Sequence, residues 1–318
     1  MNNITVFSVL VILFFAQSAF AQEFFPARER GALSHSVSLR PVFGVMHGHS
    51  DEIVFPDSTT KGELLSLLTW DMKPVFYYGF QMNFSPAAHR GFFANVSLKF
   101  GIPGFSGNME NRDWQSTESD MLTDFSVHDN YTREMFLFDL AAGYSIPVRQ
   151  FMRFNFFANI SFMRFRFSGF GGHGIYSMDR DPQRFVFYGR MINYTQEWVI
   201  FSPGVSLNVN FFNNFYLCFS FQISPLISAA ALDEHLHPRN TQFRDFMRGG
   251  IFIKPGASLS WSLNGMFSVS LDFSWRYISG TKGDSFQRPY GTGHFIQLGT
   301  AGAGLSVFST GLLLNIRL

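Results

Sequence analysis

Residues 91–100 read GFFANVSLKF. Phe92, Ala94, Val96, Leu98 and Phe100 alternate with Phe93, Asn95, Ser97 and Lys99, so an extended chain shows one apolar and one mostly polar face. The same period of two returns in residues 134–146, 153–162 and 267–275. It closes the chain too, where Leu314, Ile316 and Leu318 alternate with Asn315 and Arg317. A soluble β-sandwich also alternates. The make-up of the polar face decides between the two solvents. It carries Lys99, Arg153, Asn155 and Asp272, which a dry core between two sheets does not hold unpaired. Apolar groups outward and polar groups enclosed is the arrangement of a transmembrane antiparallel β-barrel, in which closing the sheet pairs every backbone group away from water.

Composition agrees. The 318 residues include 42 Phe, only 15% are charged and the net charge is +1. A soluble domain carries about a quarter charged residues. Near-neutral charge gives no reason to expect nucleic acid as a partner. The single Cys218 excludes an intrachain disulfide and a multi-cysteine metal site, and reads as a small apolar filler. The first segment, MNNITVFSVLVILFFAQSAFAQ, has an apolar stretch ending in Ala19-Phe20-Ala21, the pattern a signal peptidase cuts. It falls short of the roughly 18 apolar residues a spanning helix needs. We therefore expect a signal peptide over residues 1–21 and one barrel domain over 22–318, placed in the outer membrane. Short turns near 84–90, 147–150, 212–214 and 264–265 alternate with long polar segments near 104–130, 169–190, 233–248 and 280–294, which read as external loops. After Phe162 the outward register continues through Arg164 and Arg166, which suit a headgroup zone or the water above it.

Chemistry-bearing residues concentrate in those external segments. ALDEHLHP, residues 231–238, puts Asp233, His235 and His237 on one face of an extended chain and Glu234 on the other. In GNMENRDW, residues 107–114, Asn111 and Asp113 share a face while Glu110 and Arg112 point oppositely. Taken alone, such pairs are ordinary solvated polar residues. The glycines from Gly169 to Gly174 fit a dinucleotide fingerprint in spacing, but they follow an amphipathic strand and open no helix, so they read as loop glycines. Asp233, His235 and His237, or His47 and His49, have zinc-like spacing, yet no complete ligand set can be named. We expect no cofactor and no metal.

GNMENRDW, TDFSVH (123–128), LDEHLHP (232–238) and WRYISGTKGD (275–284) follow the order and spacing of the omptins, outer-membrane endopeptidases on a ten-stranded barrel. GHSDEIVF (48–55), LTWDMK (68–73), MRFRFSGFGG (163–172) and RMINYTQ (190–196) extend the resemblance across nearly the whole mature chain. It implies a catalytic site at the external mouth, without a metal or a covalent nucleophile. His235 is its general base, Asp233 orients the ring, and Asp113 matches the second of two acids facing them across a cleft. The first acid of that pair is Asn111 here. Two acids hold a basic substrate residue in the family. Glu52 matches one and Ala231 stands at the other, so a weakened basic preference is expected. Met109, Asp124 and Ile192 match cleft-lining positions. Arg164, with Arg166 beyond it, matches a lipopolysaccharide-binding arginine, but Glu197 occupies its partner position and opposes a phosphate.

The resemblance thus points to an Asp-His, aspartic-type endopeptidase acting on extracellular peptides or proteins. The alternative set by Asn111 and Ala231 is a catalytically silent barrel serving as an adhesin or receptor. Passive conduction is a third reading, opposed by bulky inward residues such as Phe93, Met135 and Phe157.

Overall fold

The computed structural model describes residues 35–56, 63–86, 90–116, 121–149, 151–211, 214–236, 240–289 and 295–317; the expected signal peptide lies outside them. The described residues form β1 (His35–Val54), β2 (Ser66–Pro86), β3 (Gly91–Gly101), β4 (Gly104–Asp113), β5 (Asp124–Arg149), β6 (Met152–Tyr176) and β7 (Gln183–Phe211). They continue as β8 (Phe215–Ser224), β9 (Ile227–His235), β10 (Thr241–Arg248), β11 (Phe252–Ser262), β12 (Phe267–Pro289) and β13 (Phe295–Arg317). All pairings are antiparallel and the sheet closes on itself at two heights. At the lower height the ring runs β1, β2, β3, β5, β6, β7, β8, β11, β12, β13 and back to β1. At the upper height β4 replaces β3, and β9 with β10 replaces β8 with β11. The wall therefore has ten strands throughout, three of them interrupted. The interruptions have local causes: Pro103 and Pro225 cannot donate to a ladder, and Gly249 and Gly250 sit at φ +81° and +79°.

The outer face explains where the membrane lies. On β6 the outward residues run from Phe154 to Phe162, eight steps or about 27 Å of strand. At the usual barrel tilt this stands about 20 Å tall, close to the apolar band of an outer-membrane barrel. Phe76, Tyr78, Phe80, Phe92, Phe156, Phe201, Phe219, Phe221 and Phe308 are exposed around the same belt. Above it Arg164 lies between Glu134 and Glu197, each 3.5 Å away, and Arg166 is exposed beyond.

The strands do not stop there. Residues 104–113, 124–130, 169–176, 183–190 and 280–289, expected as external loops, lie largely in strands that extend the cylinder above the belt. Outside lipid both faces of a strand can be polar, so the alternation that marks a membrane strand is lost although the pairing continues. The glycines 169–174 belong to β6 and form bulges in its pairing with β7, with Gly171 and Gly172 at φ +53° and +106°.

The lower lumen is polar and densely hydrogen-bonded. Asp139 accepts bonds from Arg276, Ser161 and Lys254, and Asn155 links Ser145 to Ser206. Removing the carboxylate strands two buried cations. Asp139→Ala should therefore cost about 3 kcal/mol, read as a lower midpoint of heat-modified gel migration, while a neutral result would mean that water replaces the ion pairs. Over this chamber lies an apolar layer. Trp70 stacks on Tyr194 and Phe167 at 5.4 and 5.6 Å between ring centroids, with Met46, Met72, Met163, Phe165 and Trp198 buried around it. The expected filling of the bore holds at this layer but not below it, where a cavity of about 370 Å³ remains beside Phe93, packed edge-on against Phe157; Met135 is buried at the wall.

Candidate active site

Above the aromatic layer a cleft of about 360 Å³ opens. Its polar groups come from most of the wall, with β9, β4 and β1 supplying those of the expected site. β9 alternates inward through Ala229, Ala231, Asp233 and His235. Its Asp233 Oδ2 lies 2.6 Å from His235 Nε2, and Asp233 is 1% exposed. Glu234, on the other face, accepts bonds from Asn193 and Gln242, so the alternation read from sequence holds. The His235 ring meets Phe243 of β10 edge-on at 5.6 Å, which limits its rotation.

β4 brings the second set. Met109, Asn111 and Asp113 line the cleft, while Glu110 and Arg112 bond to each other. Asn111 Nδ2 donates to Asp113 Oδ2 at 3.0 Å, and Ser66 Oγ of β2 donates to Asn111 Oδ1 at 3.2 Å. The amide is thus held from both ends, with its donor turned to the carboxylate. Asp113 is buried and paired across the ladder with Asp124 of β5, which lines the cleft and accepts from the Ser177 N–H.

β1 supplies Glu52, which is 4% exposed. Burial pushes its carboxyl well above the usual range, and Asp233 and Asp245 push further in the same direction, against a pull from His235. Ile192 of β7 pairs with His235 in the ladder and lines the cleft beside Met191. Ala231 faces the lumen two residues deeper than Asp233. Every proposed catalytic and cleft-lining residue except Ala231 borders this one cavity. Arg164 and Arg166 are not part of it.

Of the cleft residues that the sequence did not point to, three bear directly on its polar groups. Ser66 carries no motif. His128 ends TDFSVH, and is buried against Phe187 with Nδ1 at the Gly171 carbonyl; burial lowers its pKa. Asp245 had a visible signal, a lone acid in the inward series Thr241, Phe243, Asp245, Met247. His237 lies outside the described residues, and His49 sits 3.5 Å from Asp51. Among the described residues no three His, Cys, Asp or Glu are placed to hold a metal.

Residues 33–316 match the Omptin family. The chain belongs to that family. It is 24% identical over 270 residues to the plasminogen activator of Yersinia pestis, covering 83% of each chain. Its fold is similar to that of the outer membrane protease OmpT from Escherichia coli, with a TM-score of 0.82, 18% identity, and coverage of 91% of this chain and all of that one. This omptin is accordingly an outer-membrane β-barrel whose cleft end faces the cell exterior.

Proposed function

We propose that this omptin is a surface endopeptidase that hydrolyses extracellular peptides or proteins with a water activated by His235. The observation that carries the reading is the short contact between buried Asp233 and His235 in a cleft that also holds Asp113. With Nε2–H donated to Asp233, the ring's lone pair is on Nδ1, and the carboxylate stabilises the imidazolium once it forms. His235 takes a proton from water, the water oxygen bonds to the scissile carbonyl carbon, and the C–N bond breaks as the imidazolium returns the proton to the leaving amine. Asp113 orients the water from the opposite wall.

Asn111 is compatible with this chemistry. Two carboxyls sharing one proton form a donor and acceptor pair carrying one negative charge. Asn111 donating to Asp113 reproduces that pattern with a proton that cannot leave. Asn111→Asp should then add a titrating group and a new acidic limb to the pH–rate profile, with the rate near neutral pH changed by less than about tenfold. An unaltered profile would remove Asn111 from the reacting water.

The direct test is cleavage of internally quenched peptides by cells displaying the barrel, with the cut bond mapped by mass spectrometry. Cells displaying the wild type that cleave no more than cells displaying His235→Ala, across peptide sets and pH, would defeat the proposal and favour the adhesin or receptor reading. Glu52 supports a preference for a basic residue before the cut bond. Lipopolysaccharide at Arg164 draws no support here, since two carboxylates already bracket its guanidinium.

A further inference from the structure

Glu52 and Asp245 reach the cleft from β1 and β10, which only β13 and β12 separate around the wall. Both are more than nine-tenths buried, and among the described residues nothing donates a hydrogen bond to Glu52 Oε2 or Asp245 Oδ1. Buried carboxylate oxygens left without a donor are costly, and a folded chain keeps them where a ligand supplies the donor. Among the described residues no Lys or Arg lines the cleft, although Glu52, Asp233 and Asp245 are near enough for both aspartates to disfavour ionisation of Glu52. The site is therefore short of positive charge.

The ladder register says where Asp245 points. It pairs directly with Ala231 across β9 and β10, so the two side chains stand side by side on the inward face. It also pairs with Ser285 of β12, whose side chain bonds it and holds it in place. Small buried residues flank the acids: Ala229 and Ala231 on β9, and on β13 Ala301, which borders the cleft, and Ala303, which pairs with Glu52. A long side chain entering here passes Asp233 and His235 before it meets the acids, which leaves its own carbonyl beside the imidazole.

We propose that Asp245 is the second acid of a pocket for an Arg or Lys side chain of the substrate, working with Glu52 and standing in from the neighbouring strand for the acid absent at Ala231. This rests on the endopeptidase reading and sharpens it. The preference for a basic residue, expected from Ala231 to be weak, is then strong. The Asp245 carboxyl, pushed by burial up to about 6, is ionised at neutral pH and more fully so with a cation beside it.

The experiment compares two quenched peptides differing only in Arg or citrulline before the cut bond, using the full refolded barrel. The wild type should prefer Arg by about a hundredfold or more in kcat/KM. Asp245→Asn should reduce that ratio by about thirtyfold, and the double change Ala231→Asp with Asp245→Asn should restore much of it. Asp245→Ser serves if the amide variant does not fold. A ratio within threefold of wild type in the single variant overturns the pocket while leaving the hydrolase intact. If the wild type cleaves neither peptide, the hydrolase reading fails, and binding of the same labelled peptides by anisotropy decides the pocket. An Arg preference lost in Asp245→Asn supports it, and equal binding of both peptides overturns it.

Discussion

Replacing His235 with alanine should lower kcat by about 10²- to 10⁴-fold, the range of a positioned general base, with KM little changed. The size follows from geometry. The ring is fixed by a carboxylate at 2.6 Å on one side and by Phe243 on the other, so nothing else on β9 can take the proton at that place. Asp233→Asn should cost about 10²-fold or more for a different reason: the amide can donate to Nε2, which turns the ring to the tautomer with its lone pair on the wrong nitrogen. The two losses will not add, since they disable one unit. Heat-modified migration on gels checks that both variants remain folded barrels. Retention of more than a tenth of wild-type kcat in His235→Ala would remove the residue from the reaction.

Asp113→Asn should lower kcat by about a hundredfold, and it separates orientation from mere polarity. The variant leaves two amides facing each other, with the buried acceptor of the Asn111 N–H replaced by a group that presents hydrogens of its own. The pair then bears no charge, and the water loses its anionic partner opposite His235. Exchanging the two, Asn111→Asp with Asp113→Asn, restores one acid and one amide in reversed order. Partial recovery of kcat is expected if the pair acts as a unit. Activity of the single variant within about fivefold of wild type would show that Asp113 merely shapes the wall.

How far the sequence alone reached depends on which solvent each residue meets. Between Phe154 and Phe162 lipid lies outside and a polar lumen inside, so the alternation named both the barrel and its direction. Above Arg164 water meets the outer face, and the residues expected as loops proved to be paired strands because period-two hydrophobicity no longer reports pairing there. That Asp233 and His235 share a face was legible because they are two apart on one strand, whereas a catalytic role for them came only from the omptin resemblance. Asp245 is distant from both in the chain, and only the register of β10 on β9 reveals that it fills the place beside Ala231. Asn111 was visible as a departure, but its bonds to Ser66 and Asp113, which put a fixed hydrogen-bond donor where an acid was expected, depend on β2 and β4 lying side by side.

The layer of Trp70, Phe167 and Tyr194 has a bearing on the cell as well as on the molecule. A hollow cylinder of this girth inserted in large numbers is a potential leak for ions and small toxic solutes. With stacked rings stoppering its waist, a bacterium can crowd its surface with copies and keep the envelope tight.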